Sequence, residues 1–109
     1  MDARLFLLQR LTAAILAPLV LIHIALVLYA TRQGLSAEAI LGRTEGSLFW
    51  ALYYGLFVLA AAVHAPIGLR TILREWTPWR GRSLDIAATL FGLALLALGL
   101  RAVVAVVAP

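Results

Sequence analysis

Three long apolar stretches, separated by short segments that hold nearly all of the charge, set the pattern of this chain. Between Arg10 and Arg32 runs "LTAAILAPLVLIHIALVLYAT", with no formal charge; about twenty apolar residues are what an α-helix needs to cross roughly 30 Å of hydrocarbon. A second run, "GSLFWALYYGLFVLAAAVHAPIGL", lies between Glu45 and Arg70, and a third extends from Ile86 to Val107, interrupted only by Arg101. The Arg101 side chain is long enough to snorkel from the last turns to the interface. The pattern therefore predicts an all-α membrane protein, a single domain over 1–109 with helices at about 11–31, 47–70 and 85–107.

The connecting segments carry the stop and start signals. Gly34 suits the end of the first helix, and "LSAEAIL" reads as a short interfacial helix opened by Ser36. Pro18 lies within the first run and predicts a kink near Ala14 to Pro18, which neighbouring helices accommodate in a membrane. Arg4 and Arg10 before an apolar segment also suit a signal peptide, but the run is longer than an h-region and has no small-x-small cleavage site, so it reads as a mature helix. No internal repeat is visible.

Arginine placement gives an orientation. Arg4, Arg10, Arg70, Arg74, Arg80 and Arg82 fall on one side of three crossings, whereas the first loop has Arg32 and Arg43 offset by Glu38 and Glu45. The positive-inside rule then puts the N-terminus in the cytoplasm; the membrane is expected to be a bacterial cytoplasmic (inner) membrane. Tyr29, Trp50, Tyr53 and Tyr54 form an outer aromatic belt, and Trp76 and Trp79 an inner one.

Composition narrows the function classes. With 64% hydrophobic residues in 109, a soluble fold would expose large greasy patches. The chain has no cysteine, so disulfides, iron–sulfur ligation and thiolate chemistry belong to a partner if they occur. All nine basic residues are arginine, but they flank the apolar runs and do not line one face, so no nucleic acid is implied.

Polar residues inside the apolar runs are the candidates for chemistry, because ionisable side chains in hydrocarbon are costly to keep. On a helix at 100° per residue, His64, Gly68, Thr71 and Glu75 share one line that continues through Ala60 and Ala61. His64 would then sit in a shallow groove walled by small residues, a shape that admits a flat ring system, and imidazole is a common axial ligand of haem iron. The bland alternative is a histidine hydrogen-bonded across helices beside a small-residue packing seam. His23 has bulky neighbours, Leu19, Val20, Leu26 and Val27, which favours a helix–helix hydrogen bond over ligation. It also lies deeper than His64, which speaks against one haem clamped by both histidines of a single chain.

At the cytoplasmic rim Arg10, Arg70, Arg74, Glu75, Trp76, Trp79, Arg80 and Arg82 gather. Most suit positive-inside charges and interfacial anchors. An arginine one or two turns beyond a haem ligand can also pair with propionates, a tryptophan N–H can donate to a quinone carbonyl, and Glu75 could deliver a proton. Ala88, Gly92 and Gly99 form a small-residue stripe read as packing.

The stretch "HAPIGLRTILREW" resembles the second transmembrane helix of the membrane-anchor subunits of succinate dehydrogenase and fumarate reductase, in particular the D type. In that pattern a glycine follows the histidine by four residues and an acidic residue precedes an aromatic one. "LLQRLTAAILAPL" is similar to the start of that family's first helix. The resemblance implies an anchor that tethers a flavoprotein subunit and an iron–sulfur subunit, and helps build a quinone site beneath them. It implies His64 as axial ligand of haem b, Gly68 as room for the porphyrin, Arg10 near the propionates or the quinone, and Glu75 and Trp76 at the border of the quinone site; beside them Arg70 is a candidate for the haem and Arg74 for the quinone. His23 is a possible ligand of a second haem. Trp76 departs from the tyrosine common at its position, and an indole donates but does not relay a proton. Three helices are too few to enclose both groups, so a second membrane-anchor subunit or a second copy of the chain is implied. A haem-free structural anchor and a small dimeric transporter subunit are the alternatives.

Overall fold

The computed structural model describes residues 3–108, and among these all regular structure is helical: α1 (Ala3–Gln33), α2 (Ala37–Thr44), α3 (Leu48–Trp76) and α4 (Arg82–Val107). Helices α1, α3 and α4 are long and apolar enough to cross a membrane, and only 6% of the apolar window of each is buried inside the chain. The remaining apolar surface needs lipid or another subunit around it.

The helices begin and end where local chemistry dictates. Gly34, at φ 120°, closes α1 in a conformation that side-chain-bearing residues avoid, and its N–H bonds the Ala30 carbonyl at 2.8 Å. The Ser36 hydroxyl accepts from the Ala39 N–H at 3.1 Å and opens α2; Ser47 does the same for α3 through Trp50 at 3.2 Å. The helices outrun the apolar runs, because α1 starts eight residues before Leu11 and α3 continues past Arg70 to Trp76. Interfacial arginines end a hydrophobic run without ending a helix, since arginine is itself a good helix former. α1 continues through Pro18 without a break in its assignment, and Pro18 faces outward.

α3 is the central helix, packed against α1 on one side and α4 on the other, while α2 rests on α4. The α3–α4 seam is made by two glycines one heptad apart. A Cβ on Gly92 would stand 2.7 Å from Pro66 Cγ and 3.1 Å from the Ala62 carbonyl, and one on Gly99 2.5 Å from Val58 Cγ1. Pro66 has no N–H for the Ala62 carbonyl four residues back, and the missing side chain at 92 leaves that carbonyl the room a Cβ would take. The expectation that Gly92, Gly99 and the buried Ala88 serve packing is met.

Side chains tie the two ends. At one end the Arg70 Nε donates to Asp85 at 2.7 Å across the α3–α4 turn. At the other, α4 ends with carbonyls that have no partner in the helix. The buried Thr44 hydroxyl donates to Val106 O at 2.6 Å, and the Gly46 N–H to Val107 O at 2.8 Å. Tyr53 was expected in the outer aromatic belt, but it is buried and its hydroxyl donates to Leu19 O of α1 at 2.6 Å. A phenol needs a partner once buried, and this carbonyl supplies it.

Candidate functional site

The α1–α3 seam holds the polar group of most interest. His64 Nδ1 lies 3.0 Å from the Thr12 hydroxyl, which is itself 2.7 Å from Leu8 O and 3.2 Å from Gln9 O. Thr12 is only 6% exposed. The other ring nitrogen, Nε2, has no hydrogen bond among the described residues and is not enclosed by the chain. The imidazole thus has one nitrogen bonded to α1 and the other without a hydrogen bond among the described residues.

The small-residue face around His64 is not the open groove that the helical wheel suggests. A Cβ on Gly68 would come 3.3 Å from Gln9 Nε2, so the notch receives the Gln9 amide, and Ala60 is buried. The wheel places residues on a face but does not say which neighbour covers it, and here α1 does. Gln9 Oε1 is buried without a hydrogen-bond partner, an uncompensated acceptor directly beside the histidine turn.

The rim residues divide into those engaged within the chain and those free to meet something else. Arg70 is held by Asp85, Trp79 Nε1 donates to the Ser83 hydroxyl at 2.7 Å, and Arg80 donates to the carbonyls of Thr77 and Trp79 at 2.7 and 2.8 Å. These three stabilise the α3–α4 turn. Arg74, Glu75 and Trp76 are exposed, their side chains without a hydrogen bond among the described residues, and Trp76 is the most open of the large hydrophobic residues, at 82%. Arg10 is exposed and stacks over Phe6 at 5.7 Å, without a carboxylate partner among the described residues.

His23 does not make the expected helix–helix hydrogen bond. Its ring meets Phe57 and Tyr54 edge-on, at centroid distances of 5.6 and 6.3 Å, and Nδ1 is buried without a partner. It borders an open cavity of about 340 Å³ lined also by Val58 of α3 and by Gly99 and Ala102 of α4. Its bulky α1 neighbours do not close this space, because the small residues that open it come from α4. Eleven residues of α1 separate Thr12 from His23, and seven to ten of α3 separate Phe57 and Tyr54 from His64. At about 1.5 Å per residue the two histidines differ in level by roughly 10 to 16 Å, so they do not face one another across a single flat group.

The geometry joins the two motifs that the sequence singled out: Gln9 and Thr12 of the first meet Gly68 and His64 of the second. A model of the family described as the succinate dehydrogenase/fumarate reductase transmembrane subunit matches residues 1–107. The chain belongs to that family. No curated protein and no solved structure matches it. As a transmembrane subunit of a succinate dehydrogenase or fumarate reductase, it is a multi-pass membrane protein with three candidate spans and works as part of a larger assembly.

In this transmembrane subunit Thr12 and Gln9 meet His64 and Gly68, whereas the sequence singles out only Arg10 of the first motif as a candidate. One signal was available. Gln9 and Thr12 are three apart, hence on one face of α1, and both lie near the same end of the bundle as His64.

Proposed function

We propose that this subunit anchors a succinate:quinone oxidoreductase in the bacterial cytoplasmic membrane and contributes one axial ligand, His64 Nε2, to a haem b. The observation that carries the reading is the division of labour on the imidazole: Nδ1 occupied by the Thr12 hydroxyl, Nε2 without a hydrogen bond among the described residues. That is the donor arrangement a metal-binding histidine presents, with the distal nitrogen tied to an outer partner. Bound there, a haem would supply a one-electron carrier beside the quinone site. The chain offers no second imidazole at the level of His64, so the other axial position falls to a second anchor subunit or a second copy.

Around this ligand the chain's own residues hold and orient. Of Arg10 and Arg70, Arg10 is the one free to pair with propionates, since Arg70 already has Asp85 as its partner. Arg74, Glu75 and Trp76, exposed together at the end of α3, suit a quinone site completed by the iron–sulfur subunit, with the Trp76 N–H as donor and Glu75 as proton carrier. The flavoprotein and iron–sulfur subunits dock at this end, which the arginine count assigns to the cytoplasm.

The Gln9 amide in the Gly68 notch favours a second reading, a haem-free anchor in which the seam only packs α1 on α3. Purification through a tag on this chain separates the two. Co-purification of a flavoprotein and an iron–sulfur protein with a b-type α-band, lost in His64→Ala, supports the ligand reading. Co-purification with no such band in the parent supports the haem-free anchor.

A further inference from the structure

We infer that Thr12 is the positioning residue for His64: its hydroxyl accepts the Nδ1–H across the α1–α3 seam, fixing the tautomer whose Nε2 lone pair is free for a metal. The inference rests on the ligand reading of His64 given above and concerns a residue of α1 that does not touch the metal itself. A threonine hydroxyl has one proton and two lone pairs. In Thr12 the shortest contact is to the Leu8 carbonyl, at 2.7 Å, with Gln9 O at 3.2 Å. A carbonyl can only accept, so the proton belongs there, the back-bonding common for threonine within apolar helices. What the oxygen then offers His64 Nδ1 at 3.0 Å is a lone pair, and the ring nitrogen must be the donor.

The opposite assignment is less favourable. Were Thr12 to donate to Nδ1, it would give up its shortest bond, and the imidazole proton would move to Nε2, which has no acceptor among the described residues. An N–H without an acceptor is the rarer and costlier orphan in an apolar setting. Burial of Thr12 keeps water from substituting for it. Because the two residues sit on different helices, the bond also fixes the rotation of the ring relative to α1. An acceptor on Nδ1–H makes Nε2 a stronger electron donor, which favours ferric over ferrous iron and lowers the potential of a haem bound there.

Two variants and two readouts test this. Thr12→Val keeps the shape and removes the hydroxyl, and Thr12→Ser keeps the hydroxyl. The first readout is the nitrogen NMR spectrum of histidine-labelled full chain in detergent, with no haem added. His64 is expected to be protonated at Nδ1 in the parent and in Thr12→Ser, and to become a mixture of tautomers in Thr12→Val. The second is the haem of the assembled complex. Thr12→Val is expected to raise its midpoint potential and to weaken its retention about tenfold, the low end of what such outer partners contribute, with Thr12→Ser near the parent. A parent that binds haem, with Thr12→Val unchanged in both tautomer and potential, overturns the role of Thr12 and leaves the ligand reading standing. A parent complex without a b-type band overturns the ligand reading, and this inference with it.

Discussion

Gly99 on α4 approaches Val58 on α3 so closely that a Cβ at position 99 would stand 2.5 Å from Val58 Cγ1 and 2.9 Å from Cγ2. Val58 is β-branched and stiff at χ1, so it cannot rotate aside cheaply. Gly99→Ala is therefore expected to destabilise the subunit by about 1–3 kcal/mol, the usual cost of overpacking, seen as a lower midpoint of thermal unfolding in detergent. Val58→Ala in the same chain makes room and should recover most of the loss. A single variant as stable as the parent would disprove the close approach.

The far end of α4 makes a second case. Thr44 supplies the proton that satisfies Val106 O, and Gly46 satisfies Val107 O. Thr44→Val should leave one of these carbonyls without its partner, at a cost of about 0.6–1 kcal/mol by analogy with other hydrogen bonds in membrane proteins. Hydrogen exchange should quicken in the last turn of α4, including the Ala108 amide that bonds Val104 O, with Thr44→Ser near the parent and the centre of α3 unaffected. Uniform acceleration along α3 and α4 would mean that Thr44 acts on the whole bundle and not on this cap.

His23 yields a prediction because of where it lies. It sits roughly 10 to 16 Å from the level of His64, edge-on to Phe57 and Tyr54 beside a cavity. His23→Leu is expected to leave the haem b α-band of the assembled complex at its parent intensity and potential. A band reduced by half would instead assign His23 to a second haem.

The three crossings, the Ser36 cap and the Gly34 stop were legible in the sequence, because each follows from a run of apolar residues or from one residue's local bonding. Helix ends at Ala3 and Trp76 were not, since the arginines that mark the interface also favour helix. At the site, His64 stood out as an ionisable group in hydrocarbon. Thr12 stood out less, because a small hydroxyl in an apolar run satisfies itself on its own helix, and its only mark is the three-residue spacing from Gln9. That Gln9 fills the Gly68 notch, or that the His23 cavity is opened by Gly99 and Ala102, depends on which helices adjoin, and periodicity within one helix contains no such information.

The central claim is that His64 Nε2 is an iron ligand, and chemical rescue tests it most directly. In the purified complex His64→Ala is expected to lose the b-type α-band of the reduced-minus-oxidised spectrum, and added imidazole, entering the space left by the side chain, is expected to restore part of it. A His64→Ala complex that keeps the parent band without imidazole would contradict the account.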